Sequence, residues 1–269
     1  MDVERYRVVP GSAVDLGQWP PDGHDLVPGG KDDGEELHNE YNDRLEQLQE
    51  LFFADNRHRL LVIIQAIDTG GKDGTIRHVF DKTNPAGVRV APFKKPSTEE
   101  LAHDYLWRVH AEVPRDGEIV VFNRSHYEDV LVVRVHDLVP EERWHKRYDH
   151  INDFERMLVD EGTHIVKLFL NISKDEQRER LQDRVDRPDK RWKFNKGDLA
   201  ERKLWNEYQS AYTEMLSRTS TDWAPWYVIP ADRKWYRNVL VGHILVTKLE
   251  SLGLSWPQPE EGIKGIVVE

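Results

Sequence analysis

The apolar run Leu60-Leu61-Val62-Ile63-Ile64 feeds directly into Gln65-Ala66-Ile67-Asp68-Thr69-Gly70-Gly71-Lys72-Asp73-Gly74-Thr75. A strand that opens through glycines into a helix carrying a lysine builds a cradle for phosphate oxygens, because backbone N–H groups converge there and the ammonium adds charge. The segment approaches the phosphate-binding motif G-x-x-x-x-G-K-[ST] and departs from it twice. Ala66 stands at the first glycine position, and Asp73 stands where a hydroxyl would hold magnesium. Lys72 and Thr75, with the amides of Gly70, Gly71, Asp73 and Gly74, form the expected phosphate grip. The plainer alternative is a strand–turn–helix corner with a solvent-facing lysine. A carboxylate at Asp68 is repelled by phosphates unless a cation lies between them, which makes Asp68 a candidate to bind Mg²⁺ or to orient an acceptor phosphate. Helix capping by Asp68 or Asp73 is its bland counterpart.

A second constellation follows the apolar run Ile119-Val120-Val121-Phe122, which ends in Asn123-Arg124-Ser125-His126-Tyr127-Glu128-Asp129. In phosphate enzymes such a strand often delivers an aspartate to the magnesium shell. Here it delivers neutral Asn123, with Glu128 and Asp129 shortly after. The forked donors of Arg124 can clamp a phosphoryl group and stabilise developing charge. His126 either donates to a phosphate or fills a hydrogen-bonded niche, and the niche is the preferred reading.

The third feature is cationic. Between Arg184 and Lys196 six basic residues face two acidic ones, a local excess of four charges in a chain whose formal net charge is −11. Pro188 stops a helix in the middle of this run. With Arg178, Arg187, Lys190 and Lys193, the segment reads as a lid over an extended anion, and closing it would exclude water from a group transfer. An ordinary solvated face is the alternative.

These groups need a scaffold. Residues 1–34 are rich in Pro, Gly and Asp and read as an irregular arm over the surface or against a neighbouring subunit. A helix is predicted over 35–57, strands near 60–67, 88–93, 118–122, 163–170 and 227–230, and helices from Asp73, Ser97–Val109, 149–160, from Ser173, 197–217 and 234–251. Ser97 with Glu100, and Ser173 with Glu176, have capping-box spacing. Strands alternating with helices describe a three-layer α/β/α fold with a mainly parallel five-stranded sheet, a domain over 35–255 with a helical lid at about 175–200, and a loose tail over 256–269.

Composition narrows the function. The absence of cysteine removes disulfide scaffolds, thiolate metal sites and cysteine nucleophiles. A net charge of −11 argues against a general nucleic-acid binder. The N-terminus lacks a basic segment followed by an apolar one, and no eighteen-residue apolar stretch occurs, so a cytoplasmic protein without membrane spans is expected.

In combination the blocks Asp68–Thr75, Phe93-Lys94 with Pro96-Ser97, Phe122–Val130, Arg187–Lys193 and Trp223-Ala224-Pro225-Trp226 resemble the polyphosphate kinase 2 family over roughly residues 35–250. The resemblance implies a P-loop kinase fold that moves a terminal phosphoryl group between inorganic polyphosphate and an adenine or guanine nucleotide, with Mg²⁺ or Mn²⁺. It implies that Asp68 and Lys72 belong to the catalytic loop and Arg124 to a second catalytic motif. Arg178, Arg187, Lys190 and Lys193 would contact phosphates from the lid, and Lys94 would approach the acceptor's phosphate. Magnesium would rely on Asp68 and Asp129, and the protein would be a homodimer or homotetramer. The spelling Asn-Arg-Ser-His-Tyr-Glu-Asp is similar to the branch that phosphorylates AMP and also ADP. The alternatives are transfer to ADP only, an ordinary ATP-dependent nucleotide kinase, and a non-catalytic nucleotide- or polyanion-binding protein.

Overall fold

Runs of leucine, isoleucine and valine without charges favour strands buried on both faces. In the computed structural model, which describes every residue except Lys264 and Glu269, five strands form: β1 (Arg59–Gln65), β2 (Val88–Pro92), β3 (Ile119–Asn123), β4 (Thr163–Asn171) and β5 (Trp226–Pro230). β3, and β1 past Arg59, are such runs, whereas β2 carries Arg89 and β4 the buried Lys167. They form one sheet in the order β2-β3-β1-β4-β5, and every pair is parallel. β1 lies at the centre, with Leu61, Val62, Ile63 and Ile64 wholly buried. Each such side chain contributes about 1.5–3 kcal/mol relative to exposure, so a single charge at Ile63 would break the sheet's middle.

The helices are α1 (Lys31–Asp55), α2 (Lys72–Val79), α3 (Thr98–Ala102), α4 (Trp107–His110), α5 (Val132–Val135), α6 (Glu141–Asp160), α7 (Lys174–Asp186), α8 (Gly197–Lys203), α9 (Trp205–Thr219) and α10 (Lys234–Glu250). α1, α2 and α10 pack together as one layer, while α5, α6 and α9 form another, with α6 against β4. The architecture is the expected three-layer α/β/α fold. Chain order places the C-terminal end of β1 between those of β3 and β4, the position where open parallel sheets gather ligands.

Several boundaries differ from the sequence reading for local reasons. The helix expected over 97–109 breaks into α3 and α4 because the Asp104 carboxylate takes the Leu106 amide at 2.9 Å and starts a new turn. α6 begins at Glu141 rather than Asp149, directly after Pro140. The helix expected over 197–217 is two helices that meet at Leu204. Ser97 and Glu100 form both halves of a capping box. Ser173 forms only one: its hydroxyl accepts from the Glu176 amide, but Glu176 turns to Arg180 and the Ser173 amide donates to Asp232.

The N-terminal arm packs on its own chain. Val3, Tyr6, Val8, Val14, Leu16 and Val27 join the core, and Arg7 pairs antiparallel with Tyr227. The arm gives way to α1 at Lys31. The tail expected over 256–269 includes Lys264 and Glu269, which lie outside the described residues; the remainder of it is exposed.

Candidate active site

β1 delivers the loop that the sequence singles out. Thr69 (φ +66°) and Gly71 (φ +102°) occupy the left-handed region, and the Gly70 amide closes a turn onto the Ile67 carbonyl at 2.9 Å. Gly70 is obligatory for space, since a Cβ there would lie 2.5 Å from the Ala66 side chain. Ala66, the first departure from the phosphate-binding motif, is thereby accommodated by the glycine it packs against. Neither Asp68 nor Asp73 caps α2: its N-cap is Gly71, with no side-chain hydrogen bond. The capping alternative for the two aspartates is therefore absent.

Lys72 is buried, and its Nζ donates to the Ala66 carbonyl at 2.7 Å. Burial, and then the Arg124 charge, push this ammonium down to about 8, against the opposing pull of Asp68, Glu128 and Asp73. A lysine desolvated beside another cation is an expensive arrangement that a bound anion would relieve. Asp73 accepts from Asn123 Nδ2 at 2.6 Å, so the second departure from the motif is held by the neutral residue at the end of β3. Thr75 does not line the cleft. Its hydroxyl turns back to the Gly71 carbonyl at 3.1 Å and locks the first turn of α2.

Arg124 adopts φ +64°, a conformation that costs a residue with a Cβ about 1 kcal/mol. Its amide continues the sheet ladder to the Ile64 carbonyl at 3.2 Å, while the side chain turns toward the loop. The guanidinium donates to Asp68 and lies 3.6 Å from Glu128. Burial raises the Glu128 carboxyl, while Arg124 and Lys72 oppose that rise. Lys94, exposed after β2, has its carbonyl held by Arg108 at 2.9 Å.

α7 is fastened to the same loop. Gln177 Nε2 donates to the Asp68 carbonyl at 3.1 Å, and Arg180 Nη1 donates to the Thr69 carbonyl at 3.1 Å. Lys190, paired with Asp183 at 2.5 Å, and Lys193, 5.0 Å from the Trp192 ring, then close one side. The result is a cleft of about 650 Å³ whose lining includes Asp68, the Gly70–Gly74 loop, Lys94, Asn123, Arg124, Lys190 and Lys193. Eight lysines and arginines line it against four aspartates, in a chain that is acidic as a whole. Such a cleft concentrates and orients a polyanion.

Besides Thr75, three expected residues stand elsewhere. Arg178 is exposed and faces Asp175 at 3.6 Å. Arg187 is exposed and pairs with Asp189 at 2.8 Å. Asp129 receives Arg147 Nη1 at 2.7 Å and lines a separate cavity with Tyr105 and Arg108. Its carboxyl, pushed up to about 6 by burial against the pull of Arg147, does not line the Asp68 cleft. His126 fills the niche: it is buried, with Nε2 3.2 Å from Glu155, which also accepts from Tyr127 and Lys167.

A family model described as polyphosphate kinase 2 matches residues 29–254. The chain belongs to the polyphosphate kinase 2 family. It is 59% identical, over 99% of its own length and 100% of the relative's, to the AMP/ADP-polyphosphate phosphotransferase of Meiothermus ruber. It is 46% identical, over 95% of its length and 92% of the relative's, to the ADP-polyphosphate phosphotransferase of Rhodopseudomonas palustris. The crystal structure of polyphosphate kinase 2 from Arthrobacter aurescens TC1 superposes with a TM-score of 0.91 at 45% identity, covering 96% of this chain and 92% of that one.

Within this polyphosphate kinase 2 cleft, the sequence reading gave no individual role to the lining residues Arg180, Arg184, Trp192 and Lys234, although the first three fell within its lid segment. Helical phase could have found the first two. Gln177 and Leu181 mark the buried face of α7, which places Arg180 and Arg184 on the cleft side and Arg178 toward solvent. Nothing in the local pattern marks Lys234, which arrives at the cleft only through the turn after β5.

Proposed function

We propose that this chain transfers a terminal phosphoryl group of inorganic polyphosphate to AMP, and to ADP as well, in a reversible reaction. The observation that carries the proposal is the convergence of the Gly70–Gly74 loop, Lys72 and Arg124 on one cationic cleft. The full-length similarity to a protein named AMP/ADP-polyphosphate phosphotransferase supports the choice of substrates. In-line transfer between phosphate oxygens needs little beyond positioning and charge stabilisation. The nucleophile is already an anionic oxygen, so no general base is required. Lys72 would release the Ala66 carbonyl to meet the donor's phosphates, and Arg124 would hold the transferring group with its fork. Lys190 and Lys193 would bind the extended donor, with Lys94 beside the acceptor's phosphate.

Magnesium fits the donor set in part. Among the described residues no three His, Asp or Glu side chains are grouped to hold a metal alone. Mg²⁺ bound through phosphates takes only one or two carboxylates and keeps several waters. Asp68, and beside it Asp73, supply hard oxygens in the cleft, whereas Asp129 opens on a different cavity. Held by Asp68 and Asp73, magnesium would supply neutralisation of the charge that develops on the phosphoryl oxygens. Mn²⁺ as a substitute, guanine nucleotides as further acceptors, a cytoplasmic location and assembly as a homodimer or homotetramer belong to the same proposal. Among the described residues no helix is long and apolar enough to cross a membrane.

The test is nucleotide formation by purified protein with polyphosphate, Mg²⁺ and one acceptor at a time. Turnover with both AMP and ADP is expected. Turnover with ADP alone would narrow the acceptor to diphosphates, and none with either would leave a polyanion-binding protein.

A further inference from the structure

A second cavity, of about 660 Å³, lies on the other side of the loop, between α1, α2, α10 and the start of α7. It shares Thr69, Gly71, Gly74, Arg180 and Lys234 with the cleft described above, so the two adjoin at two cations. At its floor lies Arg237, 2% exposed. Its Nε and Nη2 donate to the neutral Asn238 Oδ1 at 3.1 and 2.8 Å, and its Nη1 reaches the Gly71 carbonyl only at 3.5 Å. Gly71 permits this approach, because a Cβ there would lie 2.3 Å from Arg237 Nη1 and 3.2 Å from Arg180 Nη1.

The carboxylates lining this cavity are already engaged. Glu35 faces Lys31 at 3.3 Å, Glu176 holds Arg180 at 2.6 Å, and Asp232 accepts the Ser173 amide. Among the described residues Arg237 has no carboxylate partner. Burial, and then Arg180, push its guanidinium down to about 9. Around it stand Arg77, Lys234, His38 and His78, and the buried His38 Nδ1 has no hydrogen-bond partner among the described residues. A buried guanidinium oriented by an amide and left without a counter-charge calls for an anion from outside the chain. A purine has less to recognise here. The aromatic in the lining, Trp235, packs against α1, where a Cβ on Gly34 would lie 2.3 Å from its ring, and stands edge-on to Tyr236.

We propose that this cavity is a distal donor subsite, in which Arg237, Arg77 and Lys234 hold phosphates of the polyphosphate chain beyond the one being transferred. The proposal rests on the polyphosphate reading of the neighbouring cleft and adds to it a place where chain length is sensed. A long donor passes over Gly71 between Arg180 and Lys234 and gains this second set of contacts. Tripolyphosphate is held mainly by the loop and lid.

The experiment compares wild type, Arg77→Gln and Arg237→Gln with long-chain polyphosphate and with tripolyphosphate as donors. Melting temperature serves as the folding check. The KM ratio of long to short donor is expected to rise about three-fold in Arg77→Gln and about ten-fold in Arg237→Gln, since each lost contact to a multiply charged chain weakens binding by such factors. An unchanged ratio in both variants overturns the subsite. So does a rise in KM for ATP in the reverse direction without one for long polyphosphate, which would assign the cavity to a nucleotide. Should Arg237→Gln fail to fold, the exposed Arg77→Gln decides. Should wild type turn over neither donor, the transfer reading fails, and titration calorimetry with long polyphosphate still judges the subsite. Weaker binding in the variants upholds it, and equal binding removes it.

Discussion

Lys72 sits beside Arg124 and beneath the loop carbonyls, and burial pushes its ammonium down to about 8. The sign of the consequence is fixed. Below that pH the side chain is charged and can meet a phosphate; as pH rises through about 8 the free enzyme loses the charge. kcat/KM for polyphosphate should therefore fall on an alkaline limb centred near 8, while kcat, measured with donor bound, should hold to higher pH because the polyanion stabilises the ammonium. A pH profile of both parameters checks this. Lys72→Ala should lower kcat/KM by about 10²–10³ without a matching loss of fold, the range seen when a preorganised charge is removed from a transition state. Arg124→Lys tests the fork: it keeps the charge, loses the paired donors and should cost about ten-fold or more in kcat by steady-state assay. The identity of these two residues was legible in sequence because glycines before a lysine, and an arginine at a strand's end, imply their chemistry. The partner of each was not. That Asn123 would hold Asp73, or that Thr75 would lock α2 instead of facing the cleft, depends on distances that no local pattern encodes.

At the scale of elements, α7 couples lid to loop. Arg180 joins Thr69, Ala231 and Glu176, and Gln177 joins Asp68, so one face of one helix sets the position of the phosphate cradle. Arg180→Ala should lower kcat/KM about 10–100-fold, because loss of positioning by a fraction of an ångström is costly in transfer reactions. Arg178→Ala, two residues away and solvent-facing, should stay within about two-fold. Parallel kinetics on the two variants separate a lid that works through helical phase from one that works through total charge. The strands and their order of appearance were legible as apolar runs or, for β2, as apolar alternation, and Pro188 marked the end of α7's run. The breaks at Asp104 and Leu204 were not: an aspartate inside a helical run does not announce that its carboxylate will take the amide two residues on, and no Gly or Pro marks Leu204.

For the molecule as a whole, the arm over residues 1–30 is part of the fold that holds the site. The Pro21 carbonyl accepts from the Asp232 amide at 3.0 Å, the Trp19 carbonyl from Asn171 at 2.7 Å, and the Asp22 carbonyl from Arg233 at 3.1 Å. These contacts fix the turn that presents Lys234 and anchors the N-terminus of α7 through Asp232. Deleting residues 1–28 should lower the melting temperature by about 5 °C or more and raise KM for polyphosphate, as followed by thermal unfolding and initial rates. Composition gave no sign of this, because Pro-, Gly- and Asp-rich segments read as loose, and only tertiary packing reveals that Val8 and Tyr6 are buried.

The central claim is that the cleft beside Lys72 and Arg124 passes a phosphoryl group directly from polyphosphate to a nucleotide. Polyphosphate carrying a ³²P label in its terminal groups, incubated with the protein, Mg²⁺ and AMP without added ATP, addresses it most directly. The account predicts label in ADP and then ATP, with little released as inorganic phosphate and transfer by Lys72→Ala about a hundred-fold slower or more. Label that stays in polyphosphate, or leaves it only as inorganic phosphate, would contradict it.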